Sequence, residues 1–377
     1  MARQSDHPIT FRQQETQFVM NCWRSSQSCS LVGVGSVGKS NLLQHLTSDD
    51  VQQHYLGDIA KSGLFRAINI DPNLFAPMPE NSDVDNSMYR FWAGFELLMN
   101  RLFMAFYPFE VLGEEDGRAF YEVYQAFQDG SNPLHLSIGL RYFEFGLELF
   151  MKRGIRIAFV FDEFEDVLKH MPLRFFLALR GLRDAHKRQL MYLTFTRTPL
   201  PEVTQRLGIA ELEIEPFVEL FTDRVSYVGP YSEADARDML EKVAKRKNKT
   251  YDVSAQEFLL WASGRHAGLL RSGTQVLDHV TAKLNVPAER DQAARQLAAK
   301  LPVRTECRTI WKSLSQPEKE MLKGLAQAEP NLKLDQQSIR ETFDLLLQKR
   351  LVRADGNRVV IDPPVFAAFV SRNPDTD

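Results

Sequence analysis

One stretch of the chain leaves little freedom: Gly33-Val34-Gly35-Ser36-Val37-Gly38-Lys39-Ser40. Glycines at this spacing let the backbone curl so that successive N–H groups point inward, in front of the positive end of the following helix. Such a loop is built to hold a phosphate chain, with Lys39 reaching the β- and γ-phosphates and the Ser40 hydroxyl ligating Mg2+. The flanks have the required order. Cys29-Ser30-Leu31-Val32 reads as a short buried strand and residues 41–46 as an amphipathic helix. The nucleotide contacts are therefore expected from Gly33, Val34, Gly35, Ser36, Val37, Gly38, Lys39, Ser40 and Asn41.

A second stretch answers the first. Ile155-Arg156-Ile157-Ala158-Phe159-Val160-Phe161 is the continuous apolar run of a strand buried on both faces of a parallel sheet, and it ends in Asp162-Glu163. The carboxyl edge of an α/β sheet is where ligands bind. Asp162 is expected to hold Mg2+ through water, and Glu163 to polarise the attacking water for γ-phosphate hydrolysis. Glu165 and Asp166 read more simply as first-turn acids favoured by a helix dipole.

Composition narrows the class. A chain of 377 residues, 44% hydrophobic, can bury a large core and suggests two or three domains. The formal net charge of −3 leaves no global basic field, so any nucleic-acid contact has to be local. Cys22, Cys29 and Cys307 lack metal-ligand spacing and fit a reducing cytoplasm. The first residues have no apolar signal core, and no run approaches the roughly 18 apolar residues that span a bilayer. A soluble cytoplasmic protein is expected.

Further strands are expected at 64–71, at Leu190-Met191-Tyr192-Leu193-Thr194-Phe195-Thr196-Arg197 and near 224–228. Between the second and third strands lies an insert. A loop at 73–87, with Pro77, Pro79, three acids and no Lys or Arg, leads to helical patterns at 87–107, 117–128 and 134–153. Tyr89, Phe91, Trp92, Phe95, Leu98, Phe103 and Phe106 recur at helical spacing, so they read as packing residues and not as a base-stacking platform. A helix is expected near 172–188; its Arg180, Arg183 and Lys187 read as solvated charges, with an arginine finger as the alternative. Ahead of the first strand, Ile9, Phe11 and Arg12 are candidates to cover an adenine.

Beyond the sheet, Ser232 is placed to cap a helix at 233–246, and 253–300 reads as two or three helices interrupted at Gly264–Arg271. The tail then changes character. Ser315-Gln316-Pro317-Glu318 is a capping box, a second helix covers 338–350, and 351–361 reads as a hairpin turning at Asp355-Gly356. Helix, helix and hairpin outline a winged helix-turn-helix. Its charges balance, with 11 Lys and Arg against 11 Asp and Glu over 305–377. Arg340, Lys349, Arg350, Arg353 and Arg358 are its candidate basic face.

Taken together, Gly33–Ser40, Phe159–Glu163, Thr194–Arg197, Gly264–Arg271 and the 305–370 tail make the chain resemble AAA+-related P-loop ATPases of the STAND and origin-recognition-like group. The resemblance implies an α/β P-loop fold, with a parallel sheet flanked by helices in a core at 1–230 (helical insert at about 73–153), a helical lid at 231–303 and a winged helix at 304–377. It also implies that Thr196 and Arg197 sense the γ-phosphate, because STAND proteins end their fourth strand in a similar Thr-Thr-Arg. Ala267 stands where such proteins carry an adenine-touching proline. Gly268-Leu269-Leu270-Arg271 fits the AAA+ pattern that places a second sensor arginine at Arg271. Two functions follow: an ATP- and Mg2+-dependent molecular switch whose nucleotide state controls the winged helix, or an ATP-dependent DNA-binding initiator or regulator. Both take ATP and ADP and allow an ATP-dependent oligomer. They differ in whether the winged helix meets duplex DNA or a protein. A metabolic kinase is a third reading, disfavoured by the acid-ended third strand, the lid and the tail.

Overall fold

The computed structural model describes residues 4–75, 86–132, 134–327, 336–356 and 358–372. The described residues form two compact units, one drawn from the ranges 1–32 and 40–226, the other from 33–39 and 227–377. Most of the loop expected at 73–87 lies outside the described residues.

The first unit is built on a sheet of β1 (Cys29–Val32), β2 (Phe65–Ile70), β3 (Arg156–Phe161), β4 (Leu190–Thr196) and β5 (Val225–Tyr227), in the order β2-β3-β4-β1-β5. β2 with β3, β3 with β4, and β4 with β1 pair in parallel, bringing Val32 opposite Thr196 and Phe161 opposite Thr194. Every residue of β1 and β4 is buried, as apolar runs in the middle of a parallel sheet require. This is the expected α/β class.

Helices complete the unit: α1 (Gln13–Arg24), α2 (Lys39–Leu46), α3 (Asn86–Phe106), α4 (Gly113–Gln128), α5 (His135–Lys152), α6 (Phe164–His170) and α7 (Leu173–Ala185). α3 to α5 are the three helices expected in the insert. Their aromatic residues pack as predicted: Phe95 and Leu98 are fully buried, while Phe91, Trp92 and Phe103 lie against the same core. Phe95 meets Phe143 of α5 and Phe175 of α7 at ring separations of 5.3 and 5.1 Å. The stripe is core, not a ligand platform.

The second unit holds α8 (Glu233–Lys247), α9 (Val253–Ser263), α10 (Ala267–Val276), α11 (Pro287–Ala298), α12 (Leu301–Lys312), α13 (Gln316–Gln327), α14 (Gln336–Gln348) and α15 (Pro364–Val370), with the hairpin β6 (Val352–Asp355) and β7 (Arg358–Ile361). Local chemistry sets its boundaries. Ser232 caps α8 by accepting the Asp235 N–H at 3.1 Å, and Asp252 caps α9 through the Ala255 N–H at 2.7 Å. The expected capping box is reciprocal: Glu318 accepts the Ser315 N–H at 2.8 Å, and the Ser315 hydroxyl accepts the Glu318 N–H at 3.5 Å. β6 and β7 pair antiparallel, Asp355 opposite Arg358. α12 runs across 303/304, where a domain boundary was expected.

α13 overturns one tail assignment. Glu318 is also the partner of Lys349, at 2.7 Å, and both side chains are fully buried. Lys349 therefore belongs to no basic face; it neutralises a carboxylate inside the unit. Arg353 is engaged as well, 3.7 Å from both Asp355 and Asp362. Arg340, Arg350 and Arg358 remain exposed.

Candidate nucleotide site

The phosphate loop leaves β1 at Val32 and enters α2 at Lys39. Its curl depends on two left-handed residues, Ser36 (φ 62°) and Gly38 (φ 101°). The value at Gly38 is one that side chains disfavour, which explains the glycine. Val34 and Val37 are buried and anchor the loop, while Ser36, Gly38 and Lys39 are half-exposed and Ser40 is exposed. The Lys39 ammonium folds over its own loop, donating to the carbonyls of Gly33 at 2.5 Å and Val34 at 3.1 Å. Asn41, also half-buried, follows in the first turn of α2.

Packing assigns this loop to the second unit. A Cβ on Gly33 would lie 3.0 Å from Val228 Cβ, so a neighbour leaves little room for a side chain at the first glycine. The Ser36 carbonyl accepts the Gly268 N–H from the first turn of α10 at 2.8 Å, and the Ser313 hydroxyl accepts the Gly35 N–H at 3.2 Å. Arg271, expected as a sensor, sits on α10 and lies 3.3 Å from Glu306, with 61% of its side chain exposed. The Gly268 contact and Arg271 thus fall on the same helix. The acid beside them, and Ser313, were not anticipated.

At the sheet edge of the first unit, Asp162 and Glu163 follow β3. Asp162 accepts the Glu163 N–H at 2.9 Å, turning the chain so that Glu163 takes a left-handed conformation (φ 41°) ahead of α6. Arg197 follows β4, and its guanidinium lies 3.5 Å from the Glu163 carboxylate, each side chain 43% exposed. The proposed base and the proposed sensor are therefore brought together. Thr196 is fully buried and its hydroxyl has no hydrogen-bond partner among the described residues. A buried hydroxyl in that position is costly unless something accepts or donates to it, which suits a residue facing phosphate or its metal-bound water. The oxygen donors Ser40 and Asp162 are the hard ligands that Mg2+ takes.

Several expectations are corrected here. Glu165 is more than a first-turn acid: it is 6% exposed and accepts the Arg197 N–H, fixing the chain as it leaves β4. Phe11 and Arg12 are not free to cover a base. Phe11 is buried and stacked on His7 at 3.9 Å, and Arg12 is buried and paired with Glu15 at 2.9 Å. Ile9 is half-buried, and its carbonyl accepts the Tyr55 hydroxyl at 3.2 Å. Arg183 is a half-buried tie, donating to the Ser26 carbonyl at 2.8 Å, and Arg180 bonds Asp184 and the Pro216 carbonyl. Neither is a ready arginine finger. Among the described residues no helix is long and apolar enough to cross a membrane.

No protein-family model matches the sequence, and a search of curated proteins finds no significant relative. Solved structures do match. The chain is similar to the Walker-type ATPase of Pyrococcus abyssi, at 17% identity and a TM-score of 0.50, covering 96% of this chain and 95% of that one. It is also similar to the ORC2 protein of Aeropyrum pernix, solved as ADPNP–ADP complexes, at 12% identity and 0.49, covering 97% and 93%. A third is Cdc6p of Pyrobaculum aerophilum, at 11% and 0.43, covering 98% and 96%. At these identities the likeness concerns architecture, and the first of them carries it over nearly the full length: this chain has the fold of a Walker-type P-loop ATPase.

Proposed function

We propose that the chain is an ATP-binding and ATP-hydrolysing switch of the AAA+ type, in which nucleotide state controls the C-terminal helices and hairpin, read as a winged helix. The observation that carries this is the loop Gly33–Ser40, turned at Ser36 and Gly38 with the Lys39 ammonium folded over it. Its amides and Lys39 bind the β- and γ-phosphates. Ser40 and Asp162 hold Mg2+, which supplies charge neutralisation on the phosphate oxygens. Glu163 accepts a proton from the attacking water, Arg197 and Thr196 read the γ-phosphate, and Arg271 provides a second cation. The pairing of Glu163 with Arg197 supports this: the arginine holds the carboxylate until a γ-phosphate competes for it.

Glu163→Gln tests the assignment, because an amide keeps the shape and cannot take the proton. ATP binding is expected to persist while turnover falls by ~100-fold or more. Near-normal turnover would remove Glu163 from the chemistry.

The DNA-binding reading rests on Arg340, Arg350 and Arg358, the exposed members of the candidate basic face left once Lys349 and Arg353 are accounted for. Three cations in a charge-balanced tail favour a protein contact over a duplex. Turnover and anisotropy with mixed duplex DNA at two salt concentrations decide between them. On the switch reading, added DNA leaves turnover unchanged, and Arg350→Glu with Arg358→Glu changes nothing measurable. Salt-sensitive binding that the double variant abolishes would make the initiator reading the correct one.

A further inference from the structure

Glu306, Thr309 and Ser313 fall on one side of α12 and its C-terminal extension, spaced by about one and two turns. All three meet the phosphate loop or the helix that grips it. The Ser313 hydroxyl accepts the Gly35 N–H and donates to the Ile310 carbonyl at 2.6 Å, so it is held in place from behind. Thr309 sits against Gly35 itself: a Cβ there would lie 2.7 Å from the Thr309 methyl and from its carbonyl oxygen. Glu306 reaches the other grip. A Cβ on Gly268 would lie 2.5 Å from a Glu306 carboxylate oxygen and 2.7 Å from Ser36 Cβ. Only a residue without a side chain lets loop, α10 and α12 meet there.

A carboxylate is a poor neighbour for a loop that gathers phosphate. Glu306 is 18% exposed and already holds the Arg271 guanidinium. A triphosphate arriving at the loop repels Glu306 and draws on the same guanidinium. We infer that α12 is a catch on the phosphate loop, with Glu306 and the γ-phosphate competing for Arg271, so that ATP loads by displacing α12 from Gly35. The inference rests on the ATP reading above and supplies its regulation. α12 continues through Ser313 into α13, so displacing it moves the helix that opens the tail. ADP lacks the competing phosphate and leaves the Glu306–Arg271 pair closed.

The experiment uses the full chain, a fluorescent ATP analogue and its ADP counterpart, in stopped flow. Glu306→Gln and Ser313→Ala are each expected to speed triphosphate association by about tenfold. Glu306→Gln should narrow the difference between ATP and ADP. A residue that merely scaffolds the loop gives the reverse, slower or weaker binding in both variants, and that result overturns the catch. Hydrogen exchange on the wild type needs no variant. Residues 301–313 should lose protection with ATP and keep it with ADP; protection unchanged or raised by ATP would overturn it too. Nucleotide binding with either negative result removes only the catch. Wild type and both variants that bind no nucleotide at all would remove the ATP reading and the catch together.

Discussion

The acidic end of β3 and the phosphate loop are held in different ways. Glu163 and Arg197 stand at the ends of two adjacent buried strands, half-exposed, with each other as the charged partner. The loop is gripped along its length: Lys39 by its own carbonyls, Gly35 by Ser313, Ser36 by Gly268. The sheet fixes the first region through backbone ladders and leaves its side chains free to respond to a ligand. In the second region the backbone itself is the proposed binding surface, and tertiary neighbours hold it. The two parts of one proposed chemistry are thus sensitive to different kinds of change. The sheet edge answers to its own side chains, the loop to the state of residues 227–377.

Three variants bear on this contrast. Lys349→Ala should have the largest effect, because it strands the fully buried Glu318 carboxylate inside the second unit. Breaking a buried pair from one side costs about 3–5 kcal/mol. Denaturant titration of the full chain should show an early transition, with nucleotide affinity lost alongside it. Retention of normal affinity after that transition would mean the loop does not depend on its unit. Lys39→Ala should come next, weakening ATP and ADP binding by ~100-fold as the charged contact to phosphate is removed. The melting temperature should stay near wild type, since the Lys39 ammonium donates to carbonyls of its own loop in the folded chain. Arg197→Ala is the smallest. ATP affinity should fall by ~10-fold with ADP affinity unchanged, the worth of one bond to a charged group. Equal loss of both nucleotides would show Arg197 to be structural, and the contrast would need another basis.

What the sequence made legible follows from how each feature is encoded. β1, β3 and β4 were readable because a buried parallel strand is a local run of apolar residues, and α3 to α5 because their aromatic stripe has a helical period. The phosphate loop was readable because its constraint is local too. Ser313, Thr309, Glu306 and Glu165 carry no such mark. Their importance comes from neighbours far along the chain, with Gly35 meeting Ser313 and Arg197 meeting Glu165. Lys349 shows the limit most clearly. A lysine beside an arginine at a helix end reads as surface charge, and only the fold reveals that Glu318 waits for it inside. The strand order was likewise not written in any one strand.

Glu163 adopts a backbone conformation that residues with a side chain enter at a cost of about 1–2 kcal/mol, while glycine enters it freely. On the proposed function, selection for folding and selection for chemistry then favour different amino acids at this position. A chain relieved of the chemical demand should drift toward glycine or asparagine at 163 and become sturdier as it falls silent. The residue occupying that one site in any descendant would tell whether turnover, or only binding, is still being maintained.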